Sequence, residues 1–109
     1  LRDLPGIDVL ILGMGTDGHT ASLFPDSPNL DEALSEDCSR RCLPMLAPSV
    51  PHQRLTLTLP LLRAARLPLL SIEGPGKLAV LEQALQQDNH KNMPISAFLR
   101  APLEIYWCP

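Results

Sequence analysis

A run of branched apolar residues followed at once by a glycine-rich turn constrains this chain more than any other feature. The run is Asp8-Val-Leu-Ile-Leu12, bounded by Pro5-Gly6 and by Gly13. A continuous apolar run of this length is typical of a strand that is buried on both faces. The segment 13–19 that follows predicts a tight turn at the end of that strand. This is where α/β proteins place their ligands.

Other segments also have the composition of strands. The segment 54–59 alternates leucine and threonine with period two, which predicts a strand with one wetter face. The segment 67–72 is apolar throughout and predicts a second buried strand. Shorter strands are predicted over residues 43–46 and 103–107.

Helical signals lie between these strands. A short helix from about Thr20 would be ended within two turns by Pro25 and Pro28, and residues 29–41 predict a surface loop or a short helix. Further helices are predicted over residues 61–65, 77–87 and 94–99. Strands that alternate with helices predict one α/β segment, residues 1–109, with a mostly parallel sheet.

Composition and charge exclude several classes of protein. Of the 109 residues 45% are apolar and 19% are charged, which is typical of a folded domain. The net charge of −3, with no basic cluster larger than Arg40-Arg41, argues against a nucleic-acid or anionic-membrane partner. The longest uncharged run is too short to cross a bilayer. Because the chain opens at Leu1, directly before a strand-like run, we expect it to be a segment of something longer.

The cysteines predict the cellular compartment of the protein. Cys38, Cys42 and Cys108 are odd in number and lack CxxC spacing, so we expect reduced, buried thiols and a cytoplasmic location. Cys38 and Cys42 with His52 offer three metal-ligand types. Metal motifs have tighter spacing and four ligands, so no metal site is predicted.

The glycine-rich turn matches a dinucleotide-binding pattern. Gly13, Gly15 and Gly18 fit G-x-G-x-x-G directly after a strand, where glycines let the backbone approach a pyrophosphate at a helix N-terminus. That motif needs a full helix next, and Pro25 and Pro28 come too early. We therefore predict that the glycines shape a turn and that no dinucleotide cofactor binds.

His19 is the candidate for chemistry in this turn, with Asp17 two residues before it. An imidazole accepts a proton from water near neutral pH, and a neighbouring carboxylate would fix its tautomer. The alternative is a capping histidine beside an aspartate that only shapes the turn. The residue pattern alone leaves both interpretations open.

Two basic residues are candidates for binding an anion. Lys77 follows Gly74-Pro-Gly76 at a strand end and helix start, where free backbone N–H groups and an ammonium suit a phosphate monoester. Arg54 opens the Thr-Leu strand and could clamp phosphate or carboxylate. Ordinary surface lysine and arginine side chains are the alternatives.

Taken together, these segments resemble the 6-phosphogluconolactonase family. The run Leu12-Gly-Met-Gly-Thr-Asp-Gly-His-Thr-Ala-Ser-Leu-Phe-Pro25 resembles its most specific signature, and Arg54-Leu-Thr-Leu-Thr-Leu-Pro60 and Gly74-x-x-Lys77 resemble two others in the same order. The resemblance runs from about Pro5 to Trp107 and corresponds to the second, C-terminal half of the family's protein. It implies a Rossmann-like three-layer α/β/α sandwich, a fold shared with the glucosamine-6-phosphate deaminases.

The resemblance also implies an activity. It is the hydrolysis of 6-phospho-D-glucono-1,5-lactone to 6-phosphogluconate in the oxidative pentose phosphate pathway, without metal or organic cofactor. His19 matches the general base, Asp17 its orienting partner, and Arg54 and Lys77 the ligands of the 6-phosphate. Gly13, Gly15 and Gly18 are expected to bind the substrate, and backbone N–H groups of the turn 13–18 are the expected donors to the oxyanion. The only partner implied is the small phosphosugar lactone, bound by a protein that is monomeric at full length.

Phe24 separates two activities of this superfamily. The related deaminase has a glutamate at this position, before the proline, and needs it for ring opening of the sugar. Phe24 therefore favours the lactonase over the deaminase or isomerase. A phosphosugar-binding module without turnover is the alternative from another class.

Overall fold

The structure is a computed structural model that describes residues 4–46, 53–87, 89–100 and 102–109. Strands and helices are interspersed along these ranges, most of them close to where the sequence predicts them. In chain order they are β1 (Val9–Leu12), α1 (Leu30–Leu34), β2 (Cys42–Met45), β3 (Arg54–Leu57), α2 (Leu59–Arg63), β4 (Leu67–Glu73), α3 (Pro75–Gln87), a 3₁₀ helix (Pro94–Phe98) and β5 (Glu104–Cys108).

A parallel sheet organises the molecule, which confirms the predicted fold class. Its strand order is β1-β4-β5, with Leu12 opposite Leu70 and Leu70 opposite Ile105. Parallel strands end at the same edge of a sheet. The turn after β1 and the start of α3 after β4 are therefore neighbours, although more than 50 residues separate Gly13 from Lys77.

One face of this sheet forms the core. Leu12, Leu70 and Ile72 pack there with Leu81 of α3 and Ile95 of the 3₁₀ helix. Burying such side chains stabilises the fold by roughly 1.5–3 kcal/mol each. No helix in the described part of the chain is long and apolar enough to cross a bilayer.

The other face of the sheet is open, which corrects one prediction. Val9 and Ile11 of β1 are 55% and 66% exposed, and β4 alternates buried with exposed or half-buried side chains instead of being buried throughout. Burial on both faces is therefore wrong for β1 and β4 in this chain, because every helix of the described core packs on the opposite face.

β2 and β3 form a separate antiparallel ribbon that the sequence pattern does not reveal. On β3 the buried face carries Thr56 and the wetter face carries Leu55, which is 70% exposed. The Thr56 hydroxyl accepts the Ser22 N–H at 3.2 Å and donates to the Leu57 carbonyl oxygen at 3.0 Å. These hydrogen bonds allow the polar face of the strand to be the buried one.

The predicted helix from Thr20 is wrong. Residues 20–28 form turns with a single bridge between Thr20 and Leu23, and the helix forms later, as α1. Ala21 has φ of +52°, which a right-handed helix cannot contain. The Thr20 hydroxyl also donates to the Gly13 carbonyl oxygen at 2.7 Å, folding the segment back onto the glycine turn.

Candidate active site

A cleft of about 400 Å³ opens at the edge of the sheet where β1 and β4 end. It lies between the glycine-rich turn and the first turn of α3. Its lining residues are Gly13, Met14, Gly15, His19, Thr20, Ala21 and Lys77. Of the residues singled out from the sequence, Gly13, Gly15, His19 and Lys77 thus face a common space.

His19, which lines the cleft, is hydrogen-bonded to Asp17, which together with Gly18 lies outside the cleft lining. His19 Nδ1 lies 2.5 Å from Asp17 Oδ1, and the backbone N–H of His19 donates to the same oxygen at 3.0 Å. A carboxylate only accepts, so Nδ1 carries a proton in this pair, and in the neutral imidazole the lone pair then lies on Nε2. This is the state in which an imidazole can accept a proton from water.

Electrostatics keep this carboxyl group ionised. Partial burial raises the pKa of Asp17, and the backbone hydrogen bond, the ring hydrogen bond and the charge of His19 together outweigh burial. The pKa therefore lies below its ordinary value of 3.8. At neutral pH Asp17 is available as a negative partner for an imidazolium at His19.

Glycines shape the turn that presents this pair. The Gly15 N–H donates to the His19 carbonyl oxygen at 2.9 Å, and the Gly18 N–H to the Gly15 carbonyl oxygen at 3.0 Å. A Cβ at Gly15 would overlap the His19 ring and lie 2.9 Å from Asp17 Oδ1. Gly18 has φ of +84°, a region open mainly to glycine. Both glycines are required by the geometry of the turn.

Lys77 brings a cation into the cleft from α3. Its Nζ donates to the Met14 carbonyl oxygen, so the ammonium leans across the cleft toward the glycine turn. The start of α3 is fixed to β5, since the Gly74 N–H donates to the Cys108 carbonyl oxygen and Trp107 Nε1 to the Gly74 carbonyl oxygen, both at 2.8 Å. The cleft therefore holds a proton acceptor and an ammonium group together.

Arg54 lies beside the cleft and does not line it. Its guanidinium carbon is 5.6 Å from the centre of the Phe24 ring, and that ring contacts the His19 imidazole with centroids 4.5 Å apart. Arg54 is thus joined to the site through Phe24, which is 2% exposed. From the sequence, Phe24 only distinguishes two candidate activities. No spacing pattern predicts that its ring contacts both His19 and Arg54.

The sequence does not indicate two other contributions from residues 13–21. Met14 supplies the carbonyl oxygen that holds Lys77, and Ala21 lines the cleft in a left-handed backbone conformation. Strained backbone of this kind often occurs at functional sites. Alanine carries no sequence signal for a positive φ, so only the fold identifies Ala21.

The alternative interpretations of the sequence can be placed on the structure. After the glycine turn the chain enters the turns of residues 20–28, whereas a dinucleotide motif leads directly into a helix. Cys38 and Cys42 are half-buried free thiols and Cys108 is an exposed one, so the expectation of burial is wrong for Cys108. Cys108 is exposed because β5 is an edge strand and its pairing with Glu73 places Cys108 on the open face of the sheet. His52 lies outside the described residues.

Comparison with a family of known proteins extends these observations. The family model described as glucosamine-6-phosphate isomerases/6-phosphogluconolactonase matches residues 1–107. The chain is 62% identical over 109 residues to a 6-phosphogluconolactonase of Pseudomonas putida and 61% identical over 110 residues to one of Pseudomonas aeruginosa. Both alignments cover 100% of this chain, and 45% and 46% of the two relatives.

A solved structure shows that the similarity extends to the fold. The crystal structure of a 6-phosphogluconolactonase from Shewanella baltica superposes with a TM-score of 0.82 at 38% sequence identity, covering 94% of this chain and 44% of that one. The chain thus spans somewhat less than half the length of the relatives that it matches.

Proposed function

Because this chain belongs to the glucosamine-6-phosphate isomerase/6-phosphogluconolactonase family, we propose that the protein it is part of hydrolyses 6-phospho-D-glucono-1,5-lactone to 6-phosphogluconate. The observation that carries the proposal is that His19, hydrogen-bonded to Asp17, lines a cleft that also holds the Lys77 ammonium. An activated water beside an anion-binding cation suits an uncharged ester group on a phosphorylated sugar.

The reaction needs one base and no electron transfer. His19 Nε2 takes a proton from water, whose oxygen bonds to the C1 carbonyl carbon of the lactone. Asp17 stabilises the imidazolium that forms. Collapse of the tetrahedral intermediate breaks the bond between C1 and the ring oxygen, and the imidazolium returns its proton to that oxygen. In this mechanism no metal or organic cofactor takes part.

The basic residues would hold the substrate. Lys77, inside the cleft, and Arg54, next to it, are the proposed ligands of the 6-phosphate. The N–H groups of Gly15 and Gly18 already donate within the turn. We therefore assign the oxyanion contact to other amides of residues 13–18, and Gly13, which lines the cleft, leaves room for the substrate.

The deaminase or isomerase activity of the same family is the second candidate. It is disfavoured because the side chain before Pro25 is the phenyl ring of Phe24, which cannot carry a proton. The proposal also includes a cytoplasmic setting in the pentose phosphate pathway, which agrees with the free thiols. That the chain is the second half of a monomeric protein stays a prediction.

Lactone hydrolysis by the full-length protein, wild type against His19→Ala, tests the function. We expect kcat to fall by about 10²–10⁴-fold, the usual contribution of a general base, when spontaneous hydrolysis is subtracted. Affinity for 6-phosphogluconate should stay nearly unchanged. His90→Ala, an exposed histidine outside the cleft, is the matched control.

The outcomes separate the candidates. Equal rates for wild type and His19→Ala would remove His19 as the base. Binding of 6-phosphogluconate without any turnover by the wild type would favour a binding module. Turnover of glucosamine 6-phosphate in place of the lactone would favour the deaminase.

A further inference from the structure

The Phe24 ring occupies a fixed position under the cleft. It is 2% exposed, and its carbonyl oxygen accepts the Ser27 N–H at 3.2 Å. Its neighbour Leu23 is fully buried in the core, and Pro25 restricts the backbone that follows. Side chains that touch this ring are therefore in contact with a rigid group.

The first of these side chains is His19. Its ring centroid lies 4.5 Å from that of Phe24, with 33° between the planes. The hydrogen bond from Nδ1 to Asp17 holds one edge of the imidazole, and the Phe24 ring packs against its face. The two contacts together restrict the χ1 and χ2 angles that the His19 side chain can adopt. The direction of Nε2 thus depends on both Asp17 and Phe24.

The second is Arg54, which comes from a different element. Its guanidinium carbon lies 5.6 Å from the Phe24 centroid, within the range of cation–π attraction. The hydrogen bond from the Ser22 N–H to Thr56 Oγ1 ties the Phe24 segment to β3, the strand that carries Arg54. One ring therefore contacts both a histidine of the glycine turn and an arginine of the β2–β3 ribbon.

We propose that Phe24 is a positioning residue whose ring sets the distance and orientation between the His19 imidazole and the Arg54 guanidinium. The proposal rests on the proposed function, in which His19 activates water and Arg54 binds the 6-phosphate. Both groups act on opposite ends of one substrate, so a shared rigid contact aligns the lactone carbonyl with the water. Misplacement of a catalytic group by about 1 Å costs on the order of 100-fold in rate.

The kinetic test is Phe24→Leu in the full-length protein. We expect kcat for lactone hydrolysis to fall by about 10- to 100-fold because the His19 ring is no longer oriented. The matched control is Phe98→Leu, the same substitution at a core phenylalanine that is 5% exposed and belongs to the 3₁₀ helix. It should lower thermal stability as well but leave kcat within about 2-fold of wild type. Equal losses of kcat in both variants would overturn the proposal.

A double-mutant cycle tests whether Phe24 also positions Arg54. Arg54→Gln should raise KM for the lactone by about 10-fold in the wild-type background but by less than about 3-fold in Phe24→Leu, since the guanidinium is already misplaced there. If Arg54→Gln raises KM by the same factor in the wild-type and Phe24→Leu backgrounds, Phe24 does not position Arg54.

An NMR measurement keeps the test independent of turnover. The ring proton resonances of His19, assigned by comparison with His19→Gln, should broaden in Phe24→Leu but not in Phe98→Leu, because the imidazole then samples several orientations; the loss of the Phe24 ring-current shift follows from removing the ring and does not count as evidence. If the wild type hydrolyses no lactone, the proposed function fails while these spectra still decide whether Phe24 orients His19. His19 ring resonances that stay as narrow in Phe24→Leu as in the wild type would overturn the positioning role.

Discussion

At the scale of single residues, the absence of a side chain at Gly15 is as important for the site as the side chains of Asp17 and His19. The His19 ring occupies the space that a Cβ at Gly15 would need, so the two cannot coexist without displacement. A backbone position thereby controls the orientation of a proton acceptor. This close approach is by itself a sufficient structural reason for glycine at residue 15.

Gly15→Ala should therefore act on catalysis more than on folding. We expect kcat for the lactone to fall by about 100-fold as the His19 ring is displaced from its productive position. The control is Gly6→Ala, where an added Cβ meets no atom within 4 Å. Steady-state kinetics with thermal melts of both variants in the full-length protein would check this. Wild-type kcat in Gly15→Ala would contradict the geometry of the turn.

Asp17→Asn should show a pH-dependent loss of stability. The pKa of Asp17 is lowered in the folded state, so its carboxylate stabilises the fold fully above the unfolded value of about 3.9 and less as pH falls through the lowered value. The side chain is 42% exposed, so we expect a difference below about 1 kcal/mol at pH 6 that closes below about pH 4.

Urea unfolding of the full-length protein between pH 2 and pH 7 measures this difference. The double variant with His19→Gln is the control, because the effect of Asp17→Asn should shrink when its partner is absent. A difference that grows as the pH falls would have the wrong sign for a lowered pKa.

The sequence predicts a contact between two site residues only when they lie close together along the chain. Asp17 and His19 are two positions apart, so their pairing could be predicted from spacing. Phe24 and Arg54 are 30 positions apart and meet only because β3 packs beside the segment that follows the glycine turn. No pattern in the chain encodes this contact, and the sequence alone therefore gives Arg54 no defined partner.

At the scale of elements, apolar runs predict strands well and their burial poorly. β1 and β4 lie close to where the sequence places them, because branched residues between turn signals have few other solutions. For the segment after Thr20, the same reasoning from local composition gives a wrong prediction. There the hydroxyl of Thr20 and the positive φ of Ala21 favour turns over a helix that the local composition permits.

The reversed polarity of β3 gives a test at this scale. Thr56→Val keeps the shape of the buried side chain and removes the oxygen that accepts the Ser22 N–H. We expect a loss of about 1–3 kcal/mol in the free energy of unfolding, since a partly buried donor loses its acceptor. Thr56→Ser retains the oxygen and should cost less than about 1 kcal/mol. Chemical denaturation of both variants measures these free energies of unfolding. Equal stability of Thr56→Val and wild type would show that this hydrogen bond does not stabilise the fold.

At the scale of the whole molecule, the parallel sheet presents an apolar face that the described chain does not cover. Val9 and Ile11 stand on this face with Leu67 of β4, which is 39% exposed, and Tyr106 of β5, which is 57% exposed. Large apolar patches of this kind promote association or are covered in the complete fold. The chain spans 45% of its Pseudomonas putida relative, so a protein of that length has enough further chain to form the third layer.

Ile11→Thr should consequently have opposite effects in two contexts. In a full-length protein whose remaining chain covers this face, the substitution should cost about 1–3 kcal/mol of unfolding free energy, as expected for a buried apolar side chain. In the 109-residue chain alone, where Ile11 is 66% exposed, it should reduce aggregation because it removes apolar surface from the open face. We also expect the 109-residue chain to be poorly folded and inactive, because half of its sheet surface is open. Denaturation and light scattering of both lengths check this, and a cooperative, monomeric melt of the short chain together with lactone turnover would contradict it.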